Sequence, residues 1–150
     1  MEVYRLDTRD RPGLLAGMMS ALASDATKIS FEGRLSNTEL VNIDGAAFEE
    51  TGVLKRATLA PPLDFVILPL TQRTLPVIAK AITSKIAFGS KGIIHVQIAK
   101  DGDLAFAAYD GFDRECVVAY ASISAALLDE LMKAKVVRGY CRVTQPPSGQ

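Results

Sequence analysis

The chain has no tryptophan, one histidine and two cysteines among its 150 residues. A single His95 excludes any site that needs two histidines from one chain. Cys116 and Cys141 have neither zinc-ligand spacing nor the density of a secreted disulfide scaffold, so reduced thiols and a cytoplasmic location are expected. Surplus charge is also missing: 17 lysines and arginines balance 17 acids. The summed charge therefore offers no driving force for binding nucleic acid. The longest apolar run, Phe65 to Leu70, is far too short to cross a membrane. The first residues are charged and strand-like, with no apolar signal-peptide core. P-loop, GxGxxG, GxSxG and zinc patterns are absent, so no cofactor and no metal are expected.

What is present is a globular balance, with 49% of residues apolar and 23% charged. Glu2 to Asp7 reads as a strand. Leu14, Leu15, Met18, Met19 and Leu22 then recur at helical spacing, with Asp10 as N-cap and Pro12 in the first turn. Strands are expected at Thr27 to Leu35 and, after the turn Ser36-Asn37-Thr38, at Leu40 to Phe48. Residues 49–62 read as a connection. Phe65 to Leu70 follows as a buried strand, then a helix from about Thr71 or Thr74 that stops at Gly89. Ile93 to Lys100 and Asp103 to Tyr109 are strands joined by Asp101-Gly102, a pair suited to the left-handed positions of a type I′ turn. Cys116 to Tyr120, a helix over Ser122 to Ala134 and a strand over Val136 to Val143 complete the order.

Arg9-Asp10-Arg11-Pro12-Gly13-Leu14-Leu15, after a strand and opening an amphipathic helix, resembles the ACT domain family. The resemblance is tight over Tyr4 to Ala26 and topological to Ala99. It implies a ferredoxin-like βαββαβ module over residues 1–99, an α+β fold with an antiparallel sheet and helices on one face. A ββαβ extension over 100–143 would continue that sheet or form a second small subdomain, and 144–150 would be a disordered tail. The resemblance also implies a ligand loop at Asp10, Arg11, Pro12, Gly13 and Leu14. Gly13 leaves the helix N-terminus open to a carboxylate, because free N–H groups and the dipole attract anions there. The alternative is that Asp10 caps, Pro12 starts the helix and Gly13 permits packing.

Two further features carry candidate chemistry. Asp110, Asp113, Arg114, Glu115 and Cys116 crowd one turn, where the acids oppose a reactive thiolate, and Cys116 also opens an apolar strand. Calcium through Asp110, Asp113 and Glu115 lacks the EF-hand spacing. Alternation along Ile93 to Ile98 sets His95 opposite Ile94, Val96 and Ile98, as a surface-facing or sheet-edge residue. The expected function is a non-enzymatic regulatory module that binds an amino-acid-like small molecule and acts as a homodimer, because pairing exposed sheet edges between subunits removes them. The alternatives are a small enzyme using the Tyr109–Cys116 loop with His95, and an interaction module without a ligand.

Overall fold

Strands with alternating apolar faces and helices with apolar stripes assemble here into two layers. The computed structural model describes residues 3–36, 38–82, 92–120 and 122–143. Its elements are β1 (Val3–Thr8), α1 (Arg11–Leu22), β2 (Thr27–Gly33), β3 (Asp64–Pro69), α2 (Leu75–Ile82), β4 (Ile93–Lys100), β5 (Asp103–Ala108), β6 (Val117–Ala119), α3 (Ala125–Lys133) and β7 (Val137–Val143). The helix stop expected at Gly89, the turn residue Asn37 and the tail 144–150 lie outside the described residues.

The sheet overturns the ferredoxin-like expectation. It has seven strands in the order β3-β2-β4-β5-β6-β1-β7, and every neighbouring pair is antiparallel. β1 does not join β2, β3 and β4 in a four-stranded sheet; it lies between β6 and β7. The architecture is two split β-α-β units side by side. β3-α2-β4 encloses β2, β6-α3-β7 encloses β1, and β5 joins the two. A boundary near Ala99 thus falls just before the hairpin that links β4 to β5 within one sheet. The order of elements along the chain is compatible with both topologies, because the partner of β1 is chosen by long-range pairing that local pattern does not encode.

One face of the sheet packs against all three helices in a single core cluster. Leu6, Ile29, Phe31, Val66, Val96, Ile98 and Phe106 meet the five buried residues of α1, which are Leu14, Leu15, Met18, Met19 and Leu22. α1 is pressed closely against α3: a Cβ on Gly17 would stand 2.9 Å from Cδ2 of Leu131. Met132 on α3 is 39% exposed. Asp101 and Gly102 both have positive φ, as the hairpin expectation requires.

The strand expected at Leu40 to Phe48 is not formed. Leu40–Asn42 is one 3-10 turn, and the remainder contributes a single bridge, Ala47 to Ile67 on β3. Leu40, Ile43 and Ala46 recur every third residue and all pack against the main core, which fits a tight turn better than a pleat.

Gly33 closes β2 at an irregularity in its pairing with β4, with φ of 155°. A Cβ there would lie 2.2 Å from the carbonyl oxygen of Gly92. Gly33→Ala is expected to cost about 2–3 kcal/mol through backbone displacement; urea unfolding that shows a loss well under 1 kcal/mol would contradict this.

Candidate functional site

The second face of the sheet carries polar side chains under a strap, residues 49–63. β2 places Ser30 and Glu32 on this face, and β4 places Gln97 and His95 directly opposite them in register. All four are buried. The strap seals them with apolar contacts. Leu54 and Val53 pack with Phe65, Ile67 and Ala99, while Ala57 packs with Ala107 and Tyr109.

Hydrogen bonds fix the strap to the sheet. The Glu32 carboxylate accepts from the backbone N–H of Ala57 (2.6 Å) and of Thr58 (3.1 Å). The Gln97 carbonyl oxygen accepts from the Lys55 N–H (3.1 Å) and the Ser30 hydroxyl (3.3 Å), and its amide donates to the Tyr109 hydroxyl (3.0 Å). His95 Nδ1 accepts from the Asp110 N–H at 3.1 Å. Neutral His95 must then carry its proton on Nε2, which faces the Thr58 hydroxyl at 2.7 Å. Among the described residues no buried side-chain nitrogen or oxygen lacks a partner. Such satisfaction makes a polar interior tolerable, since each orphaned buried group costs about 1–3 kcal/mol.

His95 is therefore central in the sheet and buried, not surface-facing. The alternation of β4 sets it opposite Val96 and Ile98 of the main core, although Ile93 rather than Ile94 joins that core past the irregularity at Gly33, and the strap covers the face that an antiparallel sheet usually leaves wet. The sequence reading does not group Glu32, Gln97 and Thr58. The signal for Glu32 and Gln97 lies in the phase of the strands, because Ser30, Glu32, His95 and Gln97 all occupy one alternation on neighbouring strands; Thr58, in the strap, carries no such signal.

The predicted loop at Asp10 to Leu14 lies at the start of α1, on the helical side. Asp10 is the N-cap: its carboxylate accepts from the Gly13 N–H at 2.9 Å. A Cβ on Gly13 would sit 2.2 Å from that same carboxylate. Pro12 lies in the first turn, Arg11 is exposed and Leu14 is buried. The anion at this helix end is thus Asp10 itself.

The Tyr109–Cys116 loop does lie beside His95. Asp110, Gly111 and Phe112 all have positive φ, and buried Phe112 anchors the turn in the main core. Cys116 Sγ is 3.7 Å from Asp110 Oδ2, while His95 meets Asp110 through its backbone N–H. Burial, followed by the charges of Asp110 and Asp113, pushes the Cys116 thiol up. No described group of three His, Cys, Asp or Glu residues has the convergence to hold a metal ion, so calcium at Asp110, Asp113 and Glu115 gains no support.

On the outer side of the strap a groove of about 420 Å³ runs along β3. Val41, Phe48, Leu63 and Phe65 supply its apolar walls, and Arg56, Asp64 and Ser36 its polar groups. The Arg56 guanidinium lies 4.9 Å from the centre of the Phe65 ring and donates to the Leu63 carbonyl. Its Nε stands 3.6 Å from Glu50. Phe48 is 51% exposed, an unusual state for an aromatic at a groove wall. A second depression of about 260 Å³, behind β1 and β7, is lined by Arg5 and Glu115, which pair with each other at 2.7 Å. A third depression, of about 720 Å³, lies at Ser24 and Thr71, and both hydroxyls are engaged in local turns.

No family model, no curated protein and no solved structure matches this chain. Among the described residues no helix is long and apolar enough to cross a membrane.

Burial pushes the His95 imidazole below its usual range, and the charges of Glu32 and Asp110 oppose that shift only in part. A histidine depressed in the fold is protonated more readily in the unfolded chain. Its contribution to stability is therefore full above the unfolded value of about 6.5 and is lost as pH falls from there through the folded value. Unfolding free energy should decline below about pH 6.5 in the wild type and decline less steeply in His95→Gln; parallel profiles would contradict the assignment.

Proposed function

We propose that this chain is a non-enzymatic binding module whose outer groove takes a small molecule with an apolar body and a carboxylate. The observation that carries the reading is Arg56, held over Phe65 in a groove whose other wall, Phe48, is half exposed. The backbone on both sides of Arg56 is anchored, Lys55 to Gln97 and Ala57 to Glu32. Its guanidinium is thereby held in position before a ligand arrives, which reduces the ordering cost of binding. A guanidinium fork suits a carboxylate, and at 3.6 Å Glu50 is a loose partner that such a ligand can replace. Asp64, which lines the groove while accepting from the Leu35 N–H, and Glu50 beside Arg56 supply carboxylates, which extends the class to aromatic amino acids through their ammonium group.

The catalytic alternative lacks a base. His95 Nδ1 is occupied by the Asp110 N–H, Nε2 faces Thr58, and the Cys116 thiol is held protonated by burial and three neighbouring acids. In a Cys141→Ser background, Cys116 should alkylate with iodoacetamide more slowly at neutral pH than free cysteine. Faster alkylation would favour the enzyme reading.

Phenylalanine and 3-phenylpropionate are the probes for the groove. Both should raise the melting temperature of the wild type, because a ligand that binds only the native state adds RT ln(1 + [L]/Kd). Phe48→Ala and Arg56→Gln should abolish most of the shift while leaving the strap anchored by Glu32 and Gln97. A larger shift with phenylalanine would assign the ammonium to the acids. No shift with either probe, or a shift unchanged in both variants, would overturn the reading.

A further inference from the structure

The two edges of the sheet are not alike. On β3, Ala47 closes the outer side: its N–H donates to the Ile67 carbonyl at 2.9 Å, and the Ile67 N–H donates back at 2.7 Å. Pro69 ends that strand without an N–H to offer. β7 stands at the other end of the sheet, is seven residues long and contains no proline. Its inner side pairs with β1 along its length, and among the described residues no strand or bridge covers its outer side. An uncovered edge of this length is a template for another strand.

We propose that a second copy of this chain pairs with the first across β7, antiparallel, with the two-fold axis at Cys141. The residue pattern of β7 selects both the occupant and the register. Keeping the helices of both copies on one side of a continuous sheet requires side chains of like face to stand opposite one another. An axis at Tyr140 would set Arg138 against the partner's Arg142 twice, placing like charges directly opposite, which destabilises a pair. An axis at Gly139 would draw in Val137, where the register against β1 is already irregular. An axis at Cys141 avoids both. It sets Tyr140, whose hydroxyl is tied to Asp129, against the partner's Arg142, a cation beside an aromatic ring. It also sets Gly139 against the partner's Val143. A Cβ at Gly139 would meet nothing within 4 Å, so this side of the strand has room for the valine.

The same register brings the two Cys141 thiols together. Residues directly opposite in an antiparallel pair have Cα atoms about 4.5–5.5 Å apart, within the range that a disulfide spans. Cys141 is exposed. It is therefore a reporter of the interface: diamide removes one hydrogen from each thiol, is itself reduced to the hydrazine, and leaves an S–S bond between the copies.

The test uses the full chain, and its outcome does not depend on whether the groove binds a ligand. In reducing buffer at micromolar concentration, light scattering should give the mass of two chains. Diamide should link Cys116→Ser into a disulfide dimer and should fail to link Cys141→Ser, which keeps the two-chain mass when reduced. Gly139→Lys, placing a charge against the partner's Val143, should give a folded single chain by circular dichroism and scattering. Should it fail to fold, Val143→Lys probes the same contact from its other side. A single-chain mass for the wild type would overturn the proposal. So would a two-chain mass without a Cys141 link, or one that survives a folded charge variant unchanged.

Discussion

The rest of this structure depends on a buried carboxylate. Glu32 lies on the second face of the sheet, opposite His95, and accepts two backbone N–H groups from a strap of otherwise irregular chain. A strap of this length has few backbone hydrogen bonds of its own, so its buried amides need acceptors from the sheet. Glu32 and Gln97 supply them. Their own polarity is tolerable in return because the strap, Ser30 and Tyr109 satisfy it. Neither half is stable alone: an uncovered Glu32 would favour water, and an unanchored strap would expose Leu54 and Ala57.

That mutual dependence explains how a polar interior and an outer groove come to share one segment. The inward amides of the strap are committed to the sheet, which leaves Arg56 between them to lie along Phe65 on the outer side. Its hydrogen bond to the Leu63 carbonyl closes the strap on itself. Positioning comes from β2 and β4, the two most internal strands of one split unit, while the groove lies at that unit's edge along β3. Rigid elements thus hold a groove made largely of loop.

The pairing of two split β-α-β units accounts for the contrast between the sheet's ends. In one unit the long connection after β2 returns along β3, closing its outer side through Ala47 and covering the second face. The other unit has no comparable connection, since β6 leads through α3 directly to β7. Among the described residues nothing covers its outer strand, and its back-face charges settle between themselves, as Arg5 and Glu115 do. The left-handed turn at Asp110 to Phe112 sits where the units join and holds His95 through a backbone donor.

Much of the local structure was legible in the residues. The buried stripe of α1, the Asp10 cap and the Asp101-Gly102 hairpin each follow from spacing and backbone chemistry acting over a few positions. The groups of the candidate site were legible in part: strand phase aligned His95 with Gln97, and the acids around Cys116 foretold a disfavoured thiolate. Strand partners were not legible, because β1 has suitable apolar phase for several neighbours and its place between β6 and β7 is won by long-range packing. Nor was the burial of His95 and Glu32, since the same alternation describes a wet face and a covered one. A residue's neighbours along the chain set its geometry and its face. Whether that face meets water or a strap depends on where a distant segment finds hydrogen-bond acceptors, and those exist only once the sheet has formed.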